Sequence, residues 1–299
     1  MKEAIETREL FVVEGFDGLV RGTYHKARKE NSDTQCDVTD RNRVGIVFVN
    51  SMSPTRAANG DSAVYFADSF AEHGYPSFRV DLPGFGDSDG DPSAELHAYI
   101  NRGGYASVAS VVISDLVRRF HLPGVVLVGH CAGTVSAIFA AGASRDCKGL
   151  ILMAPYFYLP QAAKTQSQGH LLPDEHDLPA NANLPLLRCW QDLSYRGLPI
   201  LILNKPERKS AEMKARARTF DYLEYVVKLA ASRNRVDLRL AEGSDHSFSN
   251  RSGRAAVRQH VEGWLDVNFL LADGVGSAVP ALHQESDPAA LIVGIAGGI

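Results

Sequence analysis

The spacing of apolar residues along the chain predicts strands and helices that alternate through most of its length. Near the amino terminus, β-like runs at residues 9–13 and 19–25 flank the turn sequence Gly-Phe-Asp-Gly at residues 15–18, which predicts a hairpin. The unbroken apolar run at residues 44–49 is typical of a strand that is buried on both faces. Further strands are predicted at residues 77–80, 125–128, 149–153, 199–203 and 236–240.

Segments with apolar residues at helical spacing lie between these strands. The predicted helices cover residues 61–73, 105–120, 134–141, 210–232 and 254–270. Strands that alternate with helices favour an α/β fold class, with a doubly wound and mostly parallel sheet.

One connection is much longer than the others. Residues 156–197 separate two predicted strands and carry several aromatic side chains, and long connections in compact domains are usually functional. We therefore predict a helical lid at residues 156–197, inserted into an α/β core formed by residues 1–155 and 198–270. Residues 271–299 form a carboxyl-terminal tail in this division.

Composition and charge narrow the function classes. The 299 residues are 45% hydrophobic and 22% charged, which suits one large domain with an insertion. A net charge of −4 argues against a nucleic-acid partner or an anionic membrane. The four cysteines lack metal-site spacing, and the first residues lack an apolar signal segment. We expect reduced thiols and a cytoplasmic location.

The most informative motif is the pentapeptide Gly-His-Cys-Ala-Gly at residues 129–133. It follows the predicted strand 125–128 directly and precedes the predicted helix 134–141. A strand, a sharp turn and a helix are the context of a nucleophile elbow, whose tip residue needs small neighbours. Cys131 occupies that tip, at a helix amino terminus that favours a thiolate. The motif predicts that Cys131 is a nucleophile.

Three motifs together resemble the α/β-hydrolase superfamily over residues 9–270. They are Asp-Leu-Pro-Gly-Phe-Gly-Asp-Ser at residues 81–88, the elbow around Cys131, and Gly-Ser-Asp-His-Ser-Phe at residues 243–248. Most members of the superfamily have serine at the elbow. The cysteine is similar to the minority that resembles dienelactone hydrolases and the thioesterase-like, cysteine-dependent Dieckmann cyclases.

The resemblance implies a general base and an acid that orients it. His246 follows the last strand and is expected to act as general base and acid. The family has a carboxylate after the strand at 199–203, and Glu207 is the nearest one, with the amide of Asn204 as its rival. Asp245 is expected to brace the loop backbone instead.

The resemblance also implies an oxyanion hole and a substrate pocket. One backbone donor is the N–H of Ala132, and the other is the N–H of Ser51 or Met52, after the strand at 44–49. Four aromatic side chains at the elbow and in the lid are expected to line the pocket: His130, Tyr156, Tyr158 and Trp190.

These residues predict an acyl hydrolase that works through a Cys131 thioester on a small-molecule ester or thioester, free or bound to a carrier protein. Acyl transfer or Dieckmann-type ring closure in a biosynthetic pathway is the first alternative, because carbon, sulfur and nitrogen nucleophiles attack thioesters readily. A non-catalytic binding protein is the second. No cofactor or metal is expected, since the chain has no dinucleotide fingerprint after a strand and no metal-like cluster.

Overall fold

The computed structural model describes residues 7–28, 43–50, 52–155, 183–205 and 235–270. The predicted helix at 210–232 and the tail at 271–299 lie outside these ranges. Within them, one sheet contains eight strands in the order β1-β2-β4-β3-β5-β6-β7-β8. The strands are β1 Arg8–Gly15, β2 Gly18–His25, β3 Gly45–Asn50, β4 Ser77–Asp81, β5 Val125–His130, β6 Cys147–Met153, β7 Ile200–Asn204 and β8 Val236–Leu240.

Strand direction follows from the lengths of the connections. β1 and β2 are antiparallel and joined by a two-residue turn between Gly15 and Gly18, which confirms the predicted hairpin. β2 is also antiparallel to β4, whereas the neighbouring pairs from β4 to β8 are parallel. The chain leaves β3 toward β4 on one side and later returns to β5 on the other. In such sheets a crevice opens at the carboxyl ends of the strands where the order reverses, here between β3 and β5.

The central strands bury both of their faces. In β5, Val125 and Leu127 belong to one hydrophobic core, whereas Val126 and Val128 belong to the core on the opposite face. Strands β3, β6 and β7 alternate in the same way. This pattern explains why their sequences are almost entirely apolar.

Helices cover both faces. Within the described ranges they are α1 Ser62–Glu72, α2 Leu96–Asn101, α3 Ala106–Arg119, α4 Gly133–Ala143, α5 Leu184–Tyr195 and α6 Arg251–Phe269. Helices α1 and α6 pack on one face, and α3, α4 and α5 pack on the other. The sequence pattern did not predict the short helix α2.

The structure corrects the predicted lid for the part of it that is described. Helix α5 lies inside the range 156–197, yet its apolar residues, Trp190 among them, are buried in the same core as α4. The two helices approach closely because Gly142 has no side chain: a Cβ there would lie 2.5 Å from Cys189 Sγ. The lid prediction is therefore wrong for residues 184–195, and residues 156–182 lie outside the described ranges.

The described residues at both ends of 156–182 are hydrogen-bonded to the core. On the β6 side, the N–H of Ala154 donates to the carbonyl of Leu203 at 2.7 Å. On the α5 side, Asn183 accepts from the N–H of Leu186 at 3.1 Å, as a helix cap, and donates its amide to the carbonyl of Asn101 at 2.7 Å. These bonds fix where the chain leaves the sheet and where it returns.

The loop after β4 folds around a buried carboxylate. Asp81 accepts hydrogen bonds from the N–H and the guanidinium of Arg56 and, at 3.1 Å, from the N–H of Asp87. Gly86 has a φ of +51°, and a Cβ there would lie 2.2 Å from the Asp81 carboxylate. The motif at 81–88 therefore ties the loop after β3 to the loop after β4.

A second buried polar group lies beside this loop. His25 Nδ1 donates to Asp68 at 2.7 Å, and the Nε–H of Arg79 donates to His25 Nε2 at 2.8 Å. Because the arginine can only donate, the imidazole is neutral and carries its proton on Nδ1. Burial lowers the pKa of His25 from 6.5 to about 4, against the opposing hydrogen bond from Asp68.

Candidate active site

Cys131 lies at the tip of a sharp turn between β5 and α4. Its φ is +53°, in the left-handed region that residues with a side chain rarely occupy. The turn is held by the N–H of Cys131, which donates to the carbonyl of Met153 at 2.9 Å, and by the carbonyl of Cys131, which accepts from the N–H of Thr134 at 3.1 Å. The strand, turn and helix that the pentapeptide predicts are confirmed.

Gly129 has no room for a side chain. A Cβ at this position would lie 2.5 Å from the carbonyl oxygen of Gly133 and 2.7 Å from the Cα of Thr134. The first turn of α4 therefore passes directly against the end of β5. This close approach explains the small residue two positions before Cys131.

The amino terminus of α4 provides a favourable environment for negative charge beside Cys131. Ala132 is the residue that precedes the helix, and it is almost fully buried. The first N–H groups of a helix have no intrahelical acceptor, and the helix dipole adds partial positive charge there. An anion that forms next to Cys131 would be stabilised by these donors.

The loop that carries His246 is seated on the elbow. It connects β8 to α6, and the Nε2–H of His130 donates to the backbone carbonyl of His246 at 2.8 Å. The two imidazole rings lie 5.4 Å apart between centroids, and Phe248 meets the His130 ring edge to face at 6.0 Å. The structure thus brings His246 next to the residue that precedes Cys131.

Asp245 stabilises the conformation of this loop. Its carboxylate accepts hydrogen bonds from the N–H and the hydroxyl of Ser249, at 2.8 and 2.7 Å. Burial alone would raise the pKa of Asp245, but these hydrogen bonds outweigh it and lower the pKa. The expectation that Asp245 braces the loop is confirmed.

His130 is a neutral imidazole. Burial lowers the pKa of His130, the nearby His246 lowers it further, and the hydrogen bond to the His246 carbonyl opposes both. Because a carbonyl can only accept, the proton of the neutral ring is on Nε2. This nitrogen is therefore directed at the protein backbone.

The other predicted site residues are only partly described. Met52 follows β3 with 42% of its surface exposed, whereas Ser51 lies outside the described ranges. Asn204 ends β7, and its side-chain oxygen accepts from the N–H of Lys205 at 3.0 Å. The carbonyl of Asn204 also accepts from the N–H of Ala241, at the start of the His246 loop.

Three predicted residues, Glu207, Tyr156 and Tyr158, lie outside the described ranges. Trp190 is fully buried between α5 and the sheet. The prediction that Trp190 lines a substrate pocket is therefore wrong, because its indole packs in the core.

Two searches were confined to the residues that the structure describes. They contain no group of three or more histidine, cysteine, aspartate or glutamate side chains placed to hold a metal ion. Among these residues, no helix combines the length and the apolar character that crossing a membrane requires.

Comparison with known proteins agrees with the geometry. The model of the alpha/beta hydrolase family matches residues 46–292. The chain belongs to this family. No curated protein sequence matches the chain significantly.

Solved structures of this family share the fold at low sequence identity. DcsB in complex with its substrate analogue is 14% identical with a TM-score of 0.60, over 87% of this chain and 99% of that one. The Pyrococcus furiosus esterase Pf2001 is 11% identical with a TM-score of 0.60, over 88% and 93%. Dienelactone hydrolase from Anabaena variabilis is 14% identical with a TM-score of 0.56, over 88% and 100%. Among its structural neighbours are thus an esterase and a dienelactone hydrolase.

Proposed function

We propose that this alpha/beta hydrolase cleaves small-molecule esters or thioesters through an acyl-enzyme on Cys131, with His246 as general base and acid. The observation that carries the proposal is the position of Cys131, which has a φ of +53° at the start of α4 with the His246 loop hydrogen-bonded to the adjacent His130. A cysteine in a structural role needs neither a strained turn nor a histidine loop beside it.

The proposed reaction has two steps. In the first, the Cys131 thiolate bonds to the acyl carbon, and the leaving alcohol or thiol departs with a proton from His246. In the second, His246 takes a proton from water, the hydroxide bonds to the acyl carbon, and the carbon–sulfur bond breaks to release the acid. The N–H of Ala132, with a second donor from the loop after β3, would stabilise the oxyanion in both steps.

Acyl transfer or Dieckmann-type ring closure is the second candidate function. The thiol itself favours it, because the thioester acyl-enzyme reacts with nitrogen, sulfur and carbon nucleophiles more readily than an oxygen ester does. The acceptor decides between the two, so the test must offer both water and another nucleophile.

Intact-protein mass spectrometry tests the proposal. The protein is mixed with a panel of acyl N-acetylcysteamine thioesters and p-nitrophenyl esters, and the mass of the acyl group should be added to the wild type but not to Cys131→Ala. Cys131→Ser is the matched variant, because it keeps the geometry and replaces only the sulfur. His246→Ala should abolish acylation.

The products then separate the candidate functions. Free acid as the product supports hydrolysis, and an amide formed from an added amine supports transfer. If no member of the panel acylates the wild type, or if Cys131→Ala turns over like the wild type, the nucleophile is misassigned and a binding role would replace catalysis.

A further inference from the structure

His130 takes no part in either chemical step of the proposed reaction, yet it connects the two residues that do. It is the last residue of β5 and is joined by a peptide bond to Cys131. Its side chain donates to the backbone carbonyl of His246, the residue proposed as the base. One side chain and one hydrogen bond therefore link the nucleophile to the base across 116 residues of sequence.

We propose that His130 is a positioning residue that holds the His246 loop in register with Cys131. The proposal rests on the proposed function, because it assigns His130 a role in placing its base. It also replaces the expectation that His130 serves mainly to contact substrate.

The position of His130 makes it a stiffer link than a loop residue would be. The residue pairs with Met153 in the parallel ladder between β5 and β6, so its backbone belongs to the centre of the sheet. Phe248 packs its edge against the imidazole and is itself fully buried. Movement of the His246 loop away from the elbow would break the 2.8 Å hydrogen bond and uncover Phe248.

The same contact constrains the loop from the other side. Phe248 has a φ of +51°, and its N–H donates to the carbonyl of Asp245 at 3.3 Å, so the loop is tightly turned at His246. The Asp245 carboxylate holds Ser249 within the loop. These bonds give the loop its shape, and the bond from His130 places that shape relative to Cys131.

Three substitutions separate positioning from packing. His130→Phe keeps an aromatic ring against Phe248 but has no N–H, and His130→Leu removes both. His130→Gln restores an amide donor at a reach similar to that of Nε2. His97→Leu is the matched control, because His97 is exposed on α2.

Two readouts are measured for each variant. The first is the rate of Cys131 alkylation by iodoacetamide from pH 5 to pH 9, read by intact mass. The second is kcat and KM for an acyl thioester that acylates the wild type. Thermal unfolding of each variant shows which of them are folded.

We expect His130→Phe and His130→Leu to move the alkylation profile toward higher pH, because a displaced His246 no longer supports the thiolate. We also expect kcat to fall about tenfold to a hundredfold, the scale of a misplacement of about 1 Å, with a smaller change in KM. His130→Gln should recover most of both, and His97→Leu should match the wild type.

The outcomes distinguish failure of this inference from failure of the proposed function. If the wild type acylates but His130→Phe keeps its profile and kcat, or if His130→Gln is as impaired as His130→Leu, the positioning role is refuted. If the wild type is never acylated, the proposed function fails, and the alkylation profiles still decide whether His130 controls the surroundings of the thiol. If both apolar variants fail to fold, His130→Gln against the wild type decides: a shifted profile in the folded glutamine variant contradicts the proposal.

Discussion

The buried pair of His25 and Asp68 predicts a loss of stability in mild acid. The His25 side chain is 1% exposed, and it lies between the carboxylate of Asp68 on α1 and the guanidinium of Arg79 on β4. Arg8 of β1 also binds Asp68. The perturbation is a change of pH from 7.5 to 5.0, compared between the wild type and His25→Gln, which keeps a donor and an acceptor but cannot titrate.

The magnitude follows from the pKa of His25, which burial lowers from 6.5 to about 4 in the folded protein. Between these values the unfolded chain binds more protons than the folded one, so stability falls as the pH falls. The full stabilisation is present above pH 6.5 and is lost progressively toward pH 4. At about 1.4 kcal/mol per pH unit over the 1.5 units from 6.5 to 5.0, the loss is about 2 kcal/mol.

Urea unfolding at both pH values, followed by circular dichroism, measures this loss. The free energy of unfolding of the wild type should fall by about 2 kcal/mol more than that of His25→Gln between pH 7.5 and 5.0. Taking the difference between the two proteins removes the contribution of other groups, such as His130. Parallel losses in the two proteins would show that His25 titrates alike in the folded and unfolded states, and would refute the argument.

Three further predictions concern other described contacts. Arg56→Met should destabilise the fold by about 3–5 kcal/mol, because it leaves the buried Asp81 carboxylate without its cation, and adding Asp81→Asn should recover part of that loss in urea unfolding; an equal or larger loss in the double variant would contradict this. Trp190→Ala should cost about 3–5 kcal/mol without changing which acyl chains are accepted, and a changed preference in product assays would return Trp190 to the pocket. A limiting alkylating agent should label Cys131 well before Cys147, since burial raises the pKa of Cys147 to about 12, and equal labelling in peptide maps would count against the elbow assignment.

Local pattern predicted most of the described fold. The apolar runs of β3 and β5 and the Gly-Phe-Asp-Gly turn each depend on neighbours within a few residues, and each appears in the structure with ends shifted by one or two positions. The elbow was equally readable, because its glycines and its cysteine are adjacent in sequence. The alpha/beta hydrolase fold follows from these elements and their order.

The side on which α5 packs could not be predicted in the same way. A helix with Leu186, Leu187, Trp190 and Leu193 on one face looks the same whether that face covers a pocket or a sheet. What decides between them is the space beside Gly142 on α4, a residue more than 40 positions earlier in the chain. An aromatic residue in a long connection is therefore weak evidence for a binding surface.

The role inferred for His130 also depends on distant residues. The sequence placed it beside Cys131, but its acceptor is a backbone carbonyl, which every residue possesses and no motif marks. Likewise, the partners of Asp81 lie 25 and 6 positions away and meet only once β3 and β4 are paired.

The anchored ends around residues 156–182 bear on how the protein can evolve. Ala154 and Asn183 are fixed by hydrogen bonds to Leu203 and Asn101, and neither bond involves the chain between them. The stretch between these two anchors can therefore lengthen, shorten or diverge in sequence while the sheet, the elbow and the His246 loop keep their mutual geometry. Such a chain can acquire a new substrate by recombining one cassette, without having to rediscover its catalytic scaffold.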